Sequence, residues 1–501
     1  MEEYEQTNIN VIPCLKWVKQ GVAKAQPDKI EFTPKEVKEI IKKIKEDADD
    51  ITEEENQAID ETLEDETETE AVENEPSTVD PNDEFNFASY ESEAEKPNPF
   101  LLFDRIVECD DGNDSVEDND DDSEKEDDII KPNDNLLLVG HVEGDASILE
   151  VYVYNEEDDC LYCHHDFLLP NFPLCIEWLN FDPSDPKPGN LCAVGTMDPV
   201  IEVWDLDVMN GLESAYVLGQ KKSKKKSKLK AKDTLRKGHT DAVLALAWNE
   251  NYNHVLGSGS VDESVLLWDL NIGKPSEDIR VFKEKVQSIQ WHPFESHSLL
   301  TGSCDKKTRV FDCRDNPKQN CLEWEHSGEI EIVTWNSFEP FCYLTGTSDG
   351  YLSYIDCRNK TPLWNFQAHE KEITGIYVSS KCPGLVVTSS HDGNISTWDL
   401  YNNNVTDDYK CETQPTKINE KHINIGQIQC FGSCPNNPFV VAAGSDNKNK
   451  NLKVINLLND DLVNGRFSKR KLIEMKVENE SSELGDTLND MNNLSLKMDQ
   501  D

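Results

Sequence analysis

Histidine, hydroxyl and aspartate residues recur at matched positions in this chain, and together they are the residue types of a hydrolytic triad. The two sets are His239, Ser258 and Asp262, and His369, Thr388 and Asp392. A triad forms a single active site, whereas matched copies are typical of a repeated scaffold. The sequence also contains no phosphate-binding loop or His-Glu-x-x-His pair. We therefore predict that the protein is not an enzyme, with no catalytic residue and no cofactor or metal site.

A periodic series of tryptophans supports this interpretation. Trp204-Asp205, Trp268-Asp269 and Trp398-Asp399 each end an alternating apolar run, and weaker copies at 311 and 355 give steps of 43 or 44 residues from 268 to 398. A second series with the same period comprises Trp248, Trp291 and Trp335. Two series with one period indicate a repeated four-stranded unit. The predicted fold is all-β, a seven-bladed WD40 β-propeller with a disordered acidic N-terminal arm and a short tail.

Trp268 and Trp398 complete the two polar sets as structural tetrads of tryptophan, hydroxyl, histidine and aspartate. A buried indole N–H, hydroxyl or imidazole that finds no partner costs about 1–3 kcal/mol, so these residues should bond to one another. The fifth repeat keeps His326, Thr345 and Asp349 but has isoleucine in place of the indole.

Composition divides the chain into four segments. We predict an N-terminal motif with an amphipathic helix over 1–48, a disordered acidic linker over 49–130, the propeller over 131–462, and a mostly disordered tail over 463–501. Residues 46–128 hold 36 acidic and three basic side chains, a net charge of −33 out of −50 for the chain. Such a segment buries too little apolar surface to fold. A strand from one terminus must close the ring, and the sequence leaves open which terminus supplies it.

A lysine-rich loop over 220–233 separates the second and third repeats. Its lysines are Lys221, Lys222, Lys224, Lys225, Lys226, Lys228, Lys230 and Lys232. The pattern favours nuclear import or contact with the phosphates of RNA, with an ordinary exposed loop as the alternative. The acidic segment instead favours basic proteins such as histones, and Ser115 and Ser123 in it lie in acidic contexts typical of phosphorylation sites.

Two further motifs have a functional and a structural interpretation. Cys160-Leu-Tyr-Cys163-His164 matches a haem-attachment or zinc pattern, but with no further ligands at a fitting spacing we favour a strand edge. Asp-Cys-Arg ends two successive repeats, at Asp312 and Arg314 and at Asp356 and Arg358. This resembles a short motif by which some propellers bind a cullin-type ubiquitin ligase adaptor. The favoured alternative is a local Asp–Arg ion pair that fixes the turn at the end of the blade.

The chain should be intracellular, because its N-terminus lacks the order of a secretion signal and no apolar run is long enough to cross a bilayer. Its 15 cysteines are accordingly expected to be thiols.

Several stretches resemble the periodic tryptophan protein 1 family. They are Cys14-Leu-Lys-Trp-Val18, Pro132-Asn-Asp-Asn-Leu136, Leu174-Cys-Ile-Glu-Trp-Leu-Asn-Phe-Asp-Pro183, Pro199-Val-Ile-Glu-Val-Trp-Asp-Leu-Asp207, and the lysine loop running into Gly238-His-Thr-Asp-Ala-Val243. The resemblance implies a nuclear and nucleolar scaffold in ribosome biogenesis, with proteins of the ribosome-assembly machinery as partners and pre-rRNA or histones as further candidates. No membrane or small-molecule substrate is expected. The alternatives are a ubiquitin-ligase substrate receptor and a histone-binding chromatin factor.

Overall fold

Seven antiparallel sheets arranged as the blades of a propeller make up this protein, as the sequence predicted. The computed structural model describes residues 9–30, 129–185, 187–220, 237–314, 321–402, 411 and 414–474. The innermost strands of successive blades contact one another around the axis, and the last of these contacts joins blade 7 to blade 1. Alternation of apolar residues in these strands buries one set of side chains against each neighbouring blade.

In each of blades 1 to 3 the strands follow one another from the axis of the propeller outwards. Blade 1 contains β1 (Asn10–Val18), β3 (Asn135–Glu143), β4 (Ala146–Asn155) and β5 (Cys160–Leu169); blade 2 contains β6 (Pro173–Leu179), β7 (Leu191–Thr196), β8 (Ile201–Asp205) and β10 (Tyr216–Leu218); blade 3 contains β11 (Val243–Trp248), β12 (Val255–Ser260), β13 (Val265–Asp269) and β14 (Lys274–Ile279). Two short strands, β2 (Asp28–Lys29) and β9 (Val208–Met209), lie outside the blades, where the Asp28 N–H donates to the Asp207 carbonyl.

Blades 4 to 7 continue the same order. Blade 4 contains β15 (Val286–Trp291), β16 (Ser298–Ser303), β17 (Lys307–Asp312) and β18 (Cys321–Glu325); blade 5 contains β19 (Ile330–Trp335), β20 (Cys342–Thr347), β21 (Tyr351–Asp356) and β22 (Trp364–Gln367); blade 6 contains β23 (Ile373–Val378), β24 (Leu385–Ser390), β25 (Asn394–Asp399) and β26 (Thr416–His422); blade 7 contains β27 (Ile428–Ser433), β28 (Val440–Ser445) and β29 (Leu452–Asn456). A 3-10 turn (Leu457–Asn459) and helix α1 (Asp461–Phe467) follow.

Glycines on the second strands allow the blades to pack closely. A Cβ at Gly302 of β16 would lie 2.5 Å from Ile330 Cγ2 of the next blade, so this position admits no side chain. Gly444 of β28 receives Ile12 of β1 in the same way. The contact that links neighbouring blades elsewhere in the ring therefore also links blade 7 to the N-terminal strand.

The propeller begins earlier than the expected boundary at residue 131. Residues Asn10–Val18 form β1, the innermost strand of blade 1, and β1 pairs with β3 from Asn10 opposite Glu143 to Val18 opposite Leu136. The acidic segment is consequently an insertion between the first two strands of one blade. Lys29–Asp120 separates as a second unit, of which the structure describes only Lys29 and Ile30. Residues 31–48, within the segment predicted to hold the N-terminal amphipathic helix, and the acidic linker up to residue 128 lie outside the described residues.

The C-terminal region also differs from the expected tail. Asp460 caps α1 by accepting hydrogen bonds from the Leu462 and Val463 amides, and Val463 and Phe467 are buried against blades 6 and 7. Residues 471–474 are irregular, and the rest of the expected tail lies outside the described residues. Within the described residues, no helix is long and apolar enough to cross a membrane.

Candidate interaction surfaces

The first predicted tetrad forms as a chain of hydrogen bonds inside blade 3. The Trp268 indole N–H donates to Ser258 Oγ at 2.8 Å, and this oxygen lies 2.7 Å from His239 Nε2. His239 Nδ1 lies 3.3 Å from Asp262. Burial alone would raise the pKa of Asp262, yet its hydrogen bonds hold that pKa well below the usual range.

Blade 6 repeats this arrangement with a threonine. The Trp398 indole donates to Thr388 Oγ1 at 2.9 Å, and this oxygen lies 2.7 Å from His369 Nε2. Burial lowers the pKa of His369, so the neutral ring is favoured. Thr388 and Ser258 are fully buried and already accept an indole N–H. A substrate would have to displace that indole, so the geometry is that of a scaffold.

Blade 5 shows what happens when the indole is lost. Ile355 stands where the tryptophan would be, and the Thr345 hydroxyl is buried without a hydrogen-bond partner. His326 instead lies 3.1 Å from Thr308 Oγ1 on β17 of blade 4, and burial lowers the pKa of His326 to about 4. Blade 5 therefore keeps the histidine, threonine and aspartate of the tetrad without the hydrogen bonds that connect them in blade 6.

Both Asp-Cys-Arg motifs form local ion pairs on the surface. Arg314 binds Asp312 through Nε at 3.0 Å and Nη2 at 2.6 Å, and Arg358 binds Asp356 in the same fork. These hydrogen bonds lower the pKa of both carboxyl groups. Each arginine side chain is nevertheless 64% exposed, so one face of each guanidinium is open to a partner.

These arginines lie on the face of the propeller at which the third strands end, which we call the Trp-Asp face. In an antiparallel four-stranded blade the connections between strands 1 and 2 and between strands 3 and 4 share this face. The connections between strands 1 and 2 bring exposed Tyr252, Phe294 and Phe341 to it from blades 3, 4 and 5. The Arg358 guanidinium lies 4.7 Å from the centre of the Phe341 ring. Exposed aromatic and arginine side chains together are the composition of protein interfaces.

Hydrogen bonds between neighbouring loops fix this surface. Asn249 Nδ2 donates to the Ser296 carbonyl at 2.8 Å, and His292 Nε2 lies 2.7 Å from the Pro340 carbonyl. The connections of blades 3, 4 and 5 are therefore tied into one continuous strip. Sequence reasoning did not identify it, although an aromatic residue shortly after each tryptophan of the second series was the available signal.

A cluster of acidic groups lies at the opposite end of the inner strands. Cys304, Glu329 and Glu331 have ligand atoms within 4.8 Å of one another. Burial and the charge of Glu372 raise the pKa of Glu331 to about 7, while the charge of Lys285 opposes this rise. Since Lys285 already supplies positive charge beside the cluster, we assign no metal to it.

The other predicted residues are placed as follows. Cys160, Cys163 and His164 lie on β5, the outer strand of blade 1, and burial raises the pKa of Cys163 to about 12, which suits a thiol. The lysine loop, Ser115 and Ser123 lie outside the described residues, so their suggested roles stay predictions.

Comparison with known proteins agrees with this architecture. The model of the WD domain, G-beta repeat, matches residues 230–269, 276–312 and 360–399. The chain is 39% identical over 471 residues to the Drosophila melanogaster periodic tryptophan protein 1 homolog, covering 92% of this chain and 97% of that protein. The chain belongs to the periodic tryptophan protein 1 family. Periodic tryptophan protein 1 of Saccharomyces cerevisiae is 27% identical over 400 residues, 71% of this chain and 69% of that protein. An uncharacterized WD repeat-containing protein of Schizosaccharomyces pombe is 51% identical over 148 residues, 28% of each chain.

In this member of the periodic tryptophan protein 1 family, the second tryptophan series links neighbouring blades. The Trp291 indole donates to the Ala247 carbonyl of the preceding blade at 3.0 Å, and Trp335 donates to the Gln290 carbonyl at 3.4 Å. Trp17 of β1 donates to the Gly432 carbonyl of blade 7 at 3.3 Å. Trp17 thus links blade 1 to blade 7 by the same kind of indole hydrogen bond that the periodic tryptophans form between other blades.

Proposed function

We propose that this protein is a non-catalytic nuclear and nucleolar scaffold in ribosome biogenesis, acting in rRNA synthesis or processing and in pre-ribosome assembly. Its membership of the periodic tryptophan protein 1 family, at 39% identity over 92% of the chain, carries the proposal. The fixed strip of exposed aromatic side chains on the Trp-Asp face, Tyr252, Phe294 and Phe341, supports a role in binding proteins.

Affinity purification of the full chain, followed by mass spectrometry of proteins and sequencing of RNA, tests this role. Pre-ribosomal proteins and pre-rRNA should be recovered together, because a scaffold of assembly remains with its particle. Recovery of nucleosomes without pre-ribosomal proteins would instead support the histone-binding alternative, and the proposal would be abandoned.

The lysine loop is proposed to direct nuclear import or to contact RNA phosphates. All eight lysines over 221–232 should be replaced by glutamine in one variant and by arginine in a matched control. The arginine variant keeps the charge and should keep nuclear location and RNA crosslinking, whereas the glutamine variant should lose at least one of them. If the glutamine variant retains both, the loop does not have this role.

A second candidate, a substrate receptor of a cullin-type ubiquitin ligase, is favoured by the two exposed guanidiniums at equivalent positions of blades 4 and 5. Replacing Arg314 and Arg358 with glutamate should abolish adaptor binding if this function exists. Arg280→Glu is the control, since Arg280 also pairs with a nearby aspartate, Asp278, and is 45% exposed. Under the scaffold proposal, the double variant retains its association with pre-ribosomes.

A further inference from the structure

Blade 7 differs from the other six blades in the described part of the chain. Blades 1 to 6 have four strands each, whereas β29 is the outermost described strand of blade 7. Ile455 of β29 corresponds to Trp268 of blade 3 and Ile355 of blade 5, which are fully buried and lie on strands that pair with a fourth strand. Ile455 and the other four residues of β29 are only half-buried. The third strand of blade 7 therefore leaves apolar surface that its counterparts cover.

Apolar groups flank β29 on both sides. Towards blade 6, Ile455 borders a cavity of about 30 Å³ whose walls include Ile423 and Val463. Towards blade 1, Leu452 and Val454 pack only partly against the core that contains Tyr154. An extended segment placed along the outer edge of β29 would cover both sides and would pair with backbone groups that no described strand uses.

Basic side chains surround the start of this edge. Lys453 lies on β29, exposed Lys450 precedes it, and exposed Lys421 lies on the neighbouring β26. Burial and the charges of Lys450 and Lys421 lower the pKa of Lys453, so both ammonium groups lie close enough to act on it. None of these three lysines forms an ion pair with another described residue, and Lys453 Nζ donates to the Ile423 carbonyl at 2.8 Å.

We propose that the outer edge of β29 binds an extended acidic segment of a partner protein as the fourth strand of blade 7. Carboxylates of that segment would lie beside Lys421, Lys450 and Lys453, and its apolar residues, on the opposite side of the strand, would cover Leu452 and Val454. Strand addition of this kind draws affinity from main-chain hydrogen bonds and specificity from side chains. A second copy of this chain fits poorly, because two β29 edges would bring two lysine clusters together.

Fluorescence anisotropy on the purified full chain tests the proposal with two labelled heptapeptides, one alternating glutamate with valine and one alternating lysine with valine. The glutamate peptide should bind at least roughly tenfold more tightly, since its charge complements the edge. Lys421→Glu and Lys450→Glu, both at exposed positions, should each weaken its binding, whereas Lys274→Glu on β14 should not. Equal binding of the two peptides, or equal effects of the three substitutions, would overturn the proposal.

Two further measurements show where the peptide binds and which of its backbone N–H groups pair with the chain. Hydrogen exchange of residues 452–456 should slow on binding, and protection at a different blade would overturn the assignment. N-methylation of all valines or of all glutamates removes N–H groups from one edge of the peptide only, so one of these peptides should bind and the other should not. If the peptide binds only after residues 1–8, 31–128 or 475–501 are deleted, a segment of the chain itself fills the edge and the partner proposal is wrong.

Discussion

Two threonine-to-valine substitutions, one in blade 6 and one at the equivalent position of blade 5, compare the loss of a hydrogen-bonded hydroxyl with the loss of a hydroxyl that makes no hydrogen bond. Thr388 and Thr345 are both fully buried and occupy the same place in their blades. Thr388→Val leaves the Trp398 indole and His369 Nε2 without their partner, and each unpaired buried group costs about 1–3 kcal/mol. The expected loss in free energy of unfolding is about 2–5 kcal/mol.

Thr345→Val should behave differently, because the Thr345 hydroxyl has no hydrogen-bond partner. Valine has the same shape and removes a buried polar group, so the change should be neutral or stabilising by up to about 1 kcal/mol. Guanidinium titration followed by tryptophan fluorescence, with thermal midpoints from calorimetry, measures both variants. If the two substitutions lower stability equally, the hydrogen bonds of the tetrad are not what stabilises blade 6.

The remaining predictions concern other parts of the propeller. Arg470→Ala should lower the free energy of unfolding by about 1.5–3 kcal/mol, because it removes one of the two arginines that bind the fully buried Asp399 carboxylate and leaves Arg466 in place. Arg314→Ala, in its exposed pair, should cost under about 1 kcal/mol in the same titration. The pKa of His326 falls from 6.5 to about 4 on folding, so between these pH values the unfolded state binds more protons than the folded state. The free energy of unfolding should therefore decrease as the pH is lowered from 7 to 4. In His326→Gln this decrease should be smaller by on the order of 3 kcal/mol, measured by denaturant titrations at pH 4 and pH 7. Gly302→Ala should cost about 1–3 kcal/mol and lower the thermal midpoint, because its Cβ would overlap Ile330; no change in midpoint would refute the close packing of blades 4 and 5.

The seven blades and two complete tetrads were predictable because they repeat. A fixed period identifies positions that share one environment even when single residues vary. Trp268 and Trp398 accordingly donate the same hydrogen bond to equivalent hydroxyl groups. The repeat could not show that Thr345 has lost its bonds, because the residue type persists after its partner changes. Bonding in blade 5 depends on Ile355 and on His326 turning towards blade 4, which are tertiary facts.

Two further elements were missed for different physical reasons. The pairing of β1 with β3 joins residues separated by the whole acidic insertion, and such pairing leaves no local signal in the sequence. Helix α1 did have signals, since Asp460 is a good cap and Val463 and Phe467 share one helical face. Gly465 and the short length of α1 concealed it. Arg466 of α1 and Arg470, which follows the helix, both bind buried Asp399, the aspartate of the last Trp-Asp pair.

The position of the acidic insertion inside blade 1 has a consequence for how the ring assembles. The two sides of the insertion meet, because the Ile130 N–H donates to the Ala25 carbonyl at 2.9 Å, and a long loop adds only slowly to the entropic cost of such closure. Closure of the ring between blades 1 and 7 is expected to be the slower step of folding, since β1 also contacts β27 of the last blade and Ile12 packs against Gly444. Contacts of this sequence separation form late in folding. The side chains of β1 that face blade 7, Ile12 among them, are therefore buried only when the last blade is in place, and the acidic insertion is held at both ends by a blade whose packing depends on ring closure.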